Sequence, residues 1–290
     1  MVTLGPNQYG KAEVRVVHVR RDVRRDGERH EIRDLNVSVA LSGDMEAVHL
    51  TGDNAAVLPT DSQKNTVYAF AREHGIGAPE DFALLLARHF VAAHPAIHRA
   101  RVSAEEYAWD RIPVTGHSFV RRGQEVRTAR VTHSAAGTHV VSGLRDMTVL
   151  NSTGSEFRGY AKDEYTTLPE TGDRLLATTV HAGWRHRGVT ADWDAAYAGA
   201  RQALLDAFAG TYSRSLQQTL YAMGRQVLIA GGEEICEVRL ALPNKHHFAV
   251  DLTPFGLDNP NEVFHAADRP YGLIEGTVLA DGAEPAEEAW

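Results

Sequence analysis

Two hydrophobic rhythms alternate along the chain. Over 11–19, Val14 and Val16 are set against Glu13 and Arg15, and Leu35, Val37, Val39 and Leu41 repeat the two-residue beat of a half-buried strand. Between them, 20–29 is rich in charge and contains Asp26-Gly27, a pair suited to a hairpin turn. The period then lengthens. Thr60-Asp61 offers N-cap oxygens to a helix that carries Val67, Phe70 and Ala71 and stops at Gly75. A second helix has Pro79 near its start and an apolar stripe at Phe82, Leu85, Leu86 and Phe90, and must end by Pro95. Strands are expected again over 100–109 and 126–133. The first half reads ββααββ.

The order recurs. Strands are expected at 147–150 and 175–184, separated by a long polar insertion. A helix over 194–208 has its stripe at Tyr197, Leu204, Leu205 and Phe208, and a second covers 216–228. Strands at 238–242 and 248–252 close the pattern, with Pro243 placing a bulge or strand end between them. The expectation is an α+β chain of two tandem ββααββ units, 1–138 and 139–290. Each unit would hold four antiparallel strands with two helices on one face. The other face and the edges need covering, which invites closure by further copies.

Composition narrows the function. A net charge of −8 gives no basic footprint for nucleic acid. The single cysteine, Cys236, allows no intrachain disulfide and suits a reducing compartment. No apolar run is long enough to span a membrane, and no signal-peptide pattern or peroxisomal address is present, so a soluble cytoplasmic protein is expected. Nucleotide-cofactor and zinc spacings are missing, and the adjacent His246 and His247 would point to opposite faces of an extended strand, poor geometry for one metal. Around Ser155 the second glycine of a hydrolase nucleophile elbow is missing.

Several polar or aromatic residues sit where ordinary explanations compete with chemistry. Phe157 lies in a Gly- and Ser-flanked loop, Arg174 at the mouth of a strand, Gln217 at a helix start and Lys11 at the start of the first strand. Singly these read as a loop aromatic, a surface ion pair, a solvated amide and an edge lysine. Together they offer a flat face, a guanidinium fork, a carboxamide fork and a Lys/Thr/His set, which suits a planar, amide-rich, anionic heterocycle.

Six blocks in fixed order then carry a family likeness: Asn7-Gln8-Tyr9-Gly10-Lys11, the run from Thr60 to Tyr68, the run from Ser152 to Phe157, Tyr165-Thr166-Thr167-Leu168, Leu216-Gln217-Gln218-Thr219 and Leu242-Pro243-Asn244-Lys245-His246. With the 269–274 segment, they make the chain resemble urate oxidase (uricase) over nearly its whole length. The resemblance implies the tunnelling fold (T-fold), with two chains closing a barrel and two barrels stacking into a homotetramer. It implies oxidation of urate by O2 and water to 5-hydroxyisourate and hydrogen peroxide, with no cofactor.

Carried over by position, Arg174 and Gln217 would hold opposite edges of urate and Phe157 would stack on its plane. The backbone N–H groups of Asp61 and Leu216 would meet its other heteroatoms, with the Thr60 hydroxyl close by. Asn244 would hold O2 and then water, and Lys11, Thr60 and His246 would relay protons. Two departures stand out: Pro59 before Thr60, and a long arginine-rich connection over 20–29. Another T-fold enzyme of purines or pterins, or a purine-binding protein without turnover, is the competing expectation.

Overall fold

The computed structural model describes residues 2–22 and 29–290. The Asp26-Gly27 turn lies outside the described residues. The chain divides into two compact units: unit 1 is 1–143, 184–196 and 284–290, and unit 2 is 144–183 and 197–283.

Unit 1 opens with the antiparallel pair β1 (Tyr9–Asp22) and β2 (Arg29–Gly43). A short helix, α1 (Glu46–Leu50), precedes α2 (Thr60–Glu73) and α3 (Pro79–Ala93), and β3 (Ile97–Glu106) returns to the sheet. A small hairpin of β4 (Trp109–Arg111) and β5 (Phe119–Arg121) stands apart as its own sheet, which sequence periodicity did not foresee. Then come β6 (Val126–Ser134) and the first part of β7 (Gly137–Asn151). The strand order in this unit is β1-β2-β3-β6-β7. Val37, Val39 and Leu41 of β2 and Ala100, Val102 and Ala104 of β3 pack with Val67 and Ala71 of α2 and Phe82, Leu86 and Phe90 of α3. Each fully buried Leu or Phe contributes about 1.5–3 kcal/mol relative to exposure, so this stripe is what sets the helices on the sheet.

Unit 2 takes the second part of β7, most of β8 (Leu176–His186) and α4 (Trp193–Gly210) from Tyr197 onward, then α5 (Leu216–Gly231), β9 (Ile235–Ala249) and β10 (Phe264–Leu279). Its strand order is β7-β8-β9-β10. Leu220, Met223 and Val227 of α5 are buried, as are Val238, Leu240 and Leu242 of β9. Gly224 allows a close approach, since a Cβ there would lie 2.6 Å from Val278 of β10. The closing strands differ from the sequence expectation. β9 runs unbroken through Pro243, and its partner is β10, not 248–252. The irregularity lies in β10, where the register shifts between Ala267 and Gly272 opposite Lys245. No helix among the described residues is long and apolar enough to cross a membrane.

Candidate active site

The predicted residues fall into two groups, one in each unit. In unit 1, Lys11 is half-buried on β1 and pairs with Val39. Gly10 precedes it for a steric reason, since a Cβ there would sit 1.8 Å from the Val39 carbonyl oxygen. After Lys11 the strand bulges: Lys11 faces Val39 but Val14 faces Val37, so β1 carries one extra residue. Glu13 takes a φ of 57° within this bulge, and its N–H donates to Ser38 Oγ at 3.0 Å.

The start of α2 is tied to the same strand. Tyr9 Oη accepts the Leu58 N–H at 2.9 Å, and Gln63, fully buried, donates to the Leu58 carbonyl at 3.3 Å. Pro59, not Thr60, is the N-cap, and no side chain caps the helix, contrary to the capping role expected of Thr60-Asp61. Thr60 and Asp61 are both exposed. The Asp61 carboxylate turns along the helix to Lys64 (2.5 Å) and Asn65 (3.0 Å). Lys64 holds its pKa below the usual carboxylate range, and Lys11 adds to the same field. Lys11 and the α2 N-terminus therefore share one neighbourhood.

In unit 2, three separate stretches are laced together by buried hydroxyls. Ser155 and Ser213 form a parallel bridge and are both fully buried, and Thr219 Oγ1 donates to Ser213 Oγ at 2.8 Å. Ser155 Oγ accepts from Arg174 Nε at 3.1 Å, and its carbonyl accepts the Arg174 N–H at 3.0 Å. Phe157 exchanges backbone hydrogen bonds with Thr171, at 2.9 and 3.1 Å. The Arg174 guanidinium lies 5.2 Å from the Phe157 ring centre, and Tyr160 stacks on that ring at 4.7 Å. Burial lowers the Arg174 pKa, though a guanidinium stays charged at neutral pH. Ser215 caps α5 by accepting the Gln218 N–H at 3.2 Å, which sets Leu216, buried, and Gln217, exposed, at the first turn.

Asn244 and His246 alternate on β9 and so share a face, with His247 on the other. The Pro243 carbonyl accepts from Thr178 Oγ1 at 2.9 Å, which fixes the strand just before Asn244. His246 stacks against Phe248 at 5.8 Å.

Unit 1 thus brings Lys11, Thr60 and Asp61 together, and in unit 2 Phe157, Arg174, Leu216 and Gln217 are knit by one hydrogen-bonded frame, while Asn244 and His246 sit on β9. Tyr9, Gln63, Ser155, Ser213 and Thr219 support these groups, a role that sequence reasoning missed. All but Ser213 lie in the family blocks, and Ser155 drew separate notice only as a rejected nucleophile. Its hydroxyl instead orients a guanidinium. Among the described residues no three His, Cys, Asp or Glu side chains gather closely enough to hold a metal.

A family model for uricase matches residues 7–132 and 140–275. A uricase of Arthrobacter globiformis is 54% identical over 289 residues, covering 100% of this chain and 94% of the relative. The chain belongs to the uricase family. A Dictyostelium discoideum uricase is 37% identical over 96% of the chain and 98% of its own length. The crystal structure of the Arthrobacter globiformis uricase superposes with a TM-score of 0.94 over 99% of this chain and 98% of that one. A Bacillus fastidious uricase, 25% identical, superposes at 0.79 over 96% and 94%. The fold is accordingly the α+β tunnelling fold. Uricase membership makes the chain an oxidoreductase of urate, and the competing pterin-enzyme and binding-protein readings give way to it. Pro59 is the helix cap next to Thr60.

Proposed function

We propose that the chain oxidises urate with O2 and water to 5-hydroxyisourate and hydrogen peroxide, using no metal or organic cofactor, at a site shared by two chains. The observation that carries this reading is the hydroxyl-laced frame of unit 2, which holds an aromatic face, a guanidinium and the amide-bearing start of α5 in one cluster. Phe157 takes the purine plane, while Arg174 and Gln217 grip opposite edges through paired hydrogen bonds. Arg174 favours the urate anion, which gives up electrons readily. The backbone N–H groups of Asp61 and Leu216, in the first turns of α2 and α5, meet the remaining heteroatoms. Asn244 holds O2 over the ring and later the attacking water. Lys11, Thr60 and His246 carry protons between substrate, peroxide and water, the hydroxyl serving as donor and acceptor in turn. The lysine acts as a base once bound urate has excluded water from around it.

The two tandem units, 1–138 and 139–290, each contribute one half of a site. Lys11, Thr60 and Asp61 come from one chain and Phe157, Arg174, Leu216, Gln217, Asn244 and His246 from its partner. β10 is exposed over most of its length, and Phe248, Val263, Tyr271 and Leu273 are exposed apolar groups on the last two strands and the segment between them. Such an edge supports closure of a barrel by a second copy, and stacking of two barrels into a homotetramer. The protein works in the cytoplasm.

Loss of urate absorbance on adding exhaustively chelated protein in air tests the reaction. Turnover should persist after chelation and stop when O2 is removed, and a strict need for copper, zinc or flavin would refute the mechanism. Lys11→Met and Arg174→Ala chains, each nearly inactive alone, should recover roughly a quarter of wild-type sites when randomly paired, because one site of a mixed dimer collects both lesions and the other neither. Mixed dimers without recovery would place both residues in one chain's site.

A further inference from the structure

On β3 and β6 the pleat sorts side chains into two sets. Ala100, Val102, Ala104 and Val131 belong to the helix-covered core. Arg99, Arg101 and Ser103 of β3, with Arg130 and Thr132 of β6, take the opposite face, because successive strand residues alternate. The register sets Arg101 opposite Thr132 and Ser103 opposite Arg130. Arg101 and Arg130 are therefore diagonal neighbours, within reach of one bound group.

These arginines lack the partners that arginines usually have. Arg130 Nε donates to Ser103 Oγ at 3.3 Å and Arg99 to the Glu288 carbonyl at 3.0 Å, both neutral acceptors. Among the described residues no carboxylate raises the pKa of Arg101 or Arg130. Arg101 Nε is buried without a hydrogen-bond partner, and so is the hydroxyl of Thr132, a residue only 4% exposed. Glu105, on the same face of β3, accepts from Tyr107 Oη at 3.1 Å and acts on Arg15, and the Glu288 carboxylate lies 3.4 Å from His139. Burial, then repulsion from Arg99 and Arg130, presses the Arg101 pKa down. A second basic hollow, lined by His18, Arg20, Glu31, Arg33 and His74, differs in being neutralised: Arg20 pairs with Glu31 at 2.9 Å, and Arg33 with Glu106 and Asp194.

Three crowded, partly dehydrated cations beside an unpartnered buried hydroxyl are unfavourable alone and favourable around an anion. We propose that Arg99, Arg101 and Arg130, with the Thr132 and Ser103 hydroxyls, form a binding site for a multivalent tetrahedral oxyanion of the phosphate class. Arg101 and Arg130 grip the ligand from adjacent strands, Thr132 donates its hydroxyl, and Arg99 supplies the third charge.

Thermal melting of the full protein in phosphate and in chloride of equal ionic strength tests this. Phosphate should raise the melting temperature by a few degrees over chloride, saturably, as a ligand of the folded state does. Arg101→Gln and Arg130→Gln should each abolish that increment, and Arg101→Lys should keep part of it. In chloride, Arg101→Gln should melt no lower than wild type, because a repelled charge is gone. Because Arg174 is itself a cation open to phosphate, the increment should survive in Arg174→Ala. An equal increment in wild type and Arg101→Gln, none in wild type, or a lower melting point of Arg101→Gln in chloride would each overturn the site. Adenosine monophosphate in place of inorganic phosphate separates the sources: tighter binding marks a phosphomonoester, weaker binding the free ion, and either requires Arg101.

Discussion

Helix α3 begins Pro79-Glu80 and α5 begins Leu216-Gln217, so the second residue is polar in both helices. Their surroundings differ. Glu80 is fully buried, accepting from Ser142 Oγ at 2.6 Å and Arg127 at 2.8 Å. Arg127 reaches on to Asp194 at 2.5 Å and the Trp193 carbonyl at 3.2 Å, and His186 Nε2 meets Ser142 Oγ at 2.9 Å. Gln217 is exposed. Unit 1 supplies the partners of its polar helix start from its own chain, whereas the Gln217 carboxamide is exposed and, on the proposed reading, is met by substrate. On that reading the same local architecture serves as scaffold or as site according to who provides the partner.

The sharpest way to break that contrast is to remove both side chains in turn. Glu80→Ala should destabilise the fold by about 3–5 kcal/mol, since it leaves Arg127 buried beside a missing carboxylate. Gln217→Ala should cost less than about 0.5 kcal/mol, as exposed positions do. Urea midpoints decide it, and equal losses would sink the comparison.

Arg174→Ala acts in the other direction, on binding more than on folding. Affinity for an unreactive urate analogue should fall by roughly 2–5 kcal/mol, read by equilibrium titration. Unchanged affinity would remove Arg174 from the site.

The scaffold should also respond to acid. Burial lowers the His186 pKa from 6.5 to about 4. Between those values the unfolded chain binds the proton and the folded one resists it. Stability from this group is therefore intact above pH 6.5 and drains away toward pH 4, by about 3 kcal/mol in all. Glu80, whose pKa burial raises, works oppositely and softens the loss. Urea midpoints at pH 7.5 and 4.5 should diverge more for wild type than for His186→Asn; equal divergence would exonerate the imidazole.

On binding, a smaller effect than that of Arg174→Ala belongs to Ser155→Ala. It deletes the acceptor of Arg174 Nε and should weaken analogue binding by about 1 kcal/mol with little change in folding. An undiminished affinity would show that Arg174 holds its place without the hydroxyl.

Much of the fold was legible because Val37, Val39, Leu41, Phe82, Leu86 and Phe90 print the strand and helix periods directly. β10 was not. Most of its residues are exposed, so no apolar alternation marks it. Pro243 suggested a break because proline lacks a donor, but β9 carries it within the ladder opposite Leu273. Thr60 looked like a cap because its chemistry allows capping, and only the fold shows Pro59 in that place. The groups proposed to meet substrate were readable through the family resemblance. Their supports were not, since Ser155, Ser213 and Thr219 are ordinary hydroxyls until folding brings three distant stretches together.

The extra residue in β1 after Lys11 acts as a phase shifter. Lys11 and Val14 are three positions apart and would point to opposite sides of an unbroken strand, yet they face Val39 and Val37, which share one side of β2. The bulge absorbs the odd residue and returns both side chains to that side. Deleting Ala12 alone would therefore leave both pairings in register and remove only the sharper local twist that a bulge adds. One codon would then test how the lysine amine is aimed, apart from which side of the sheet it occupies.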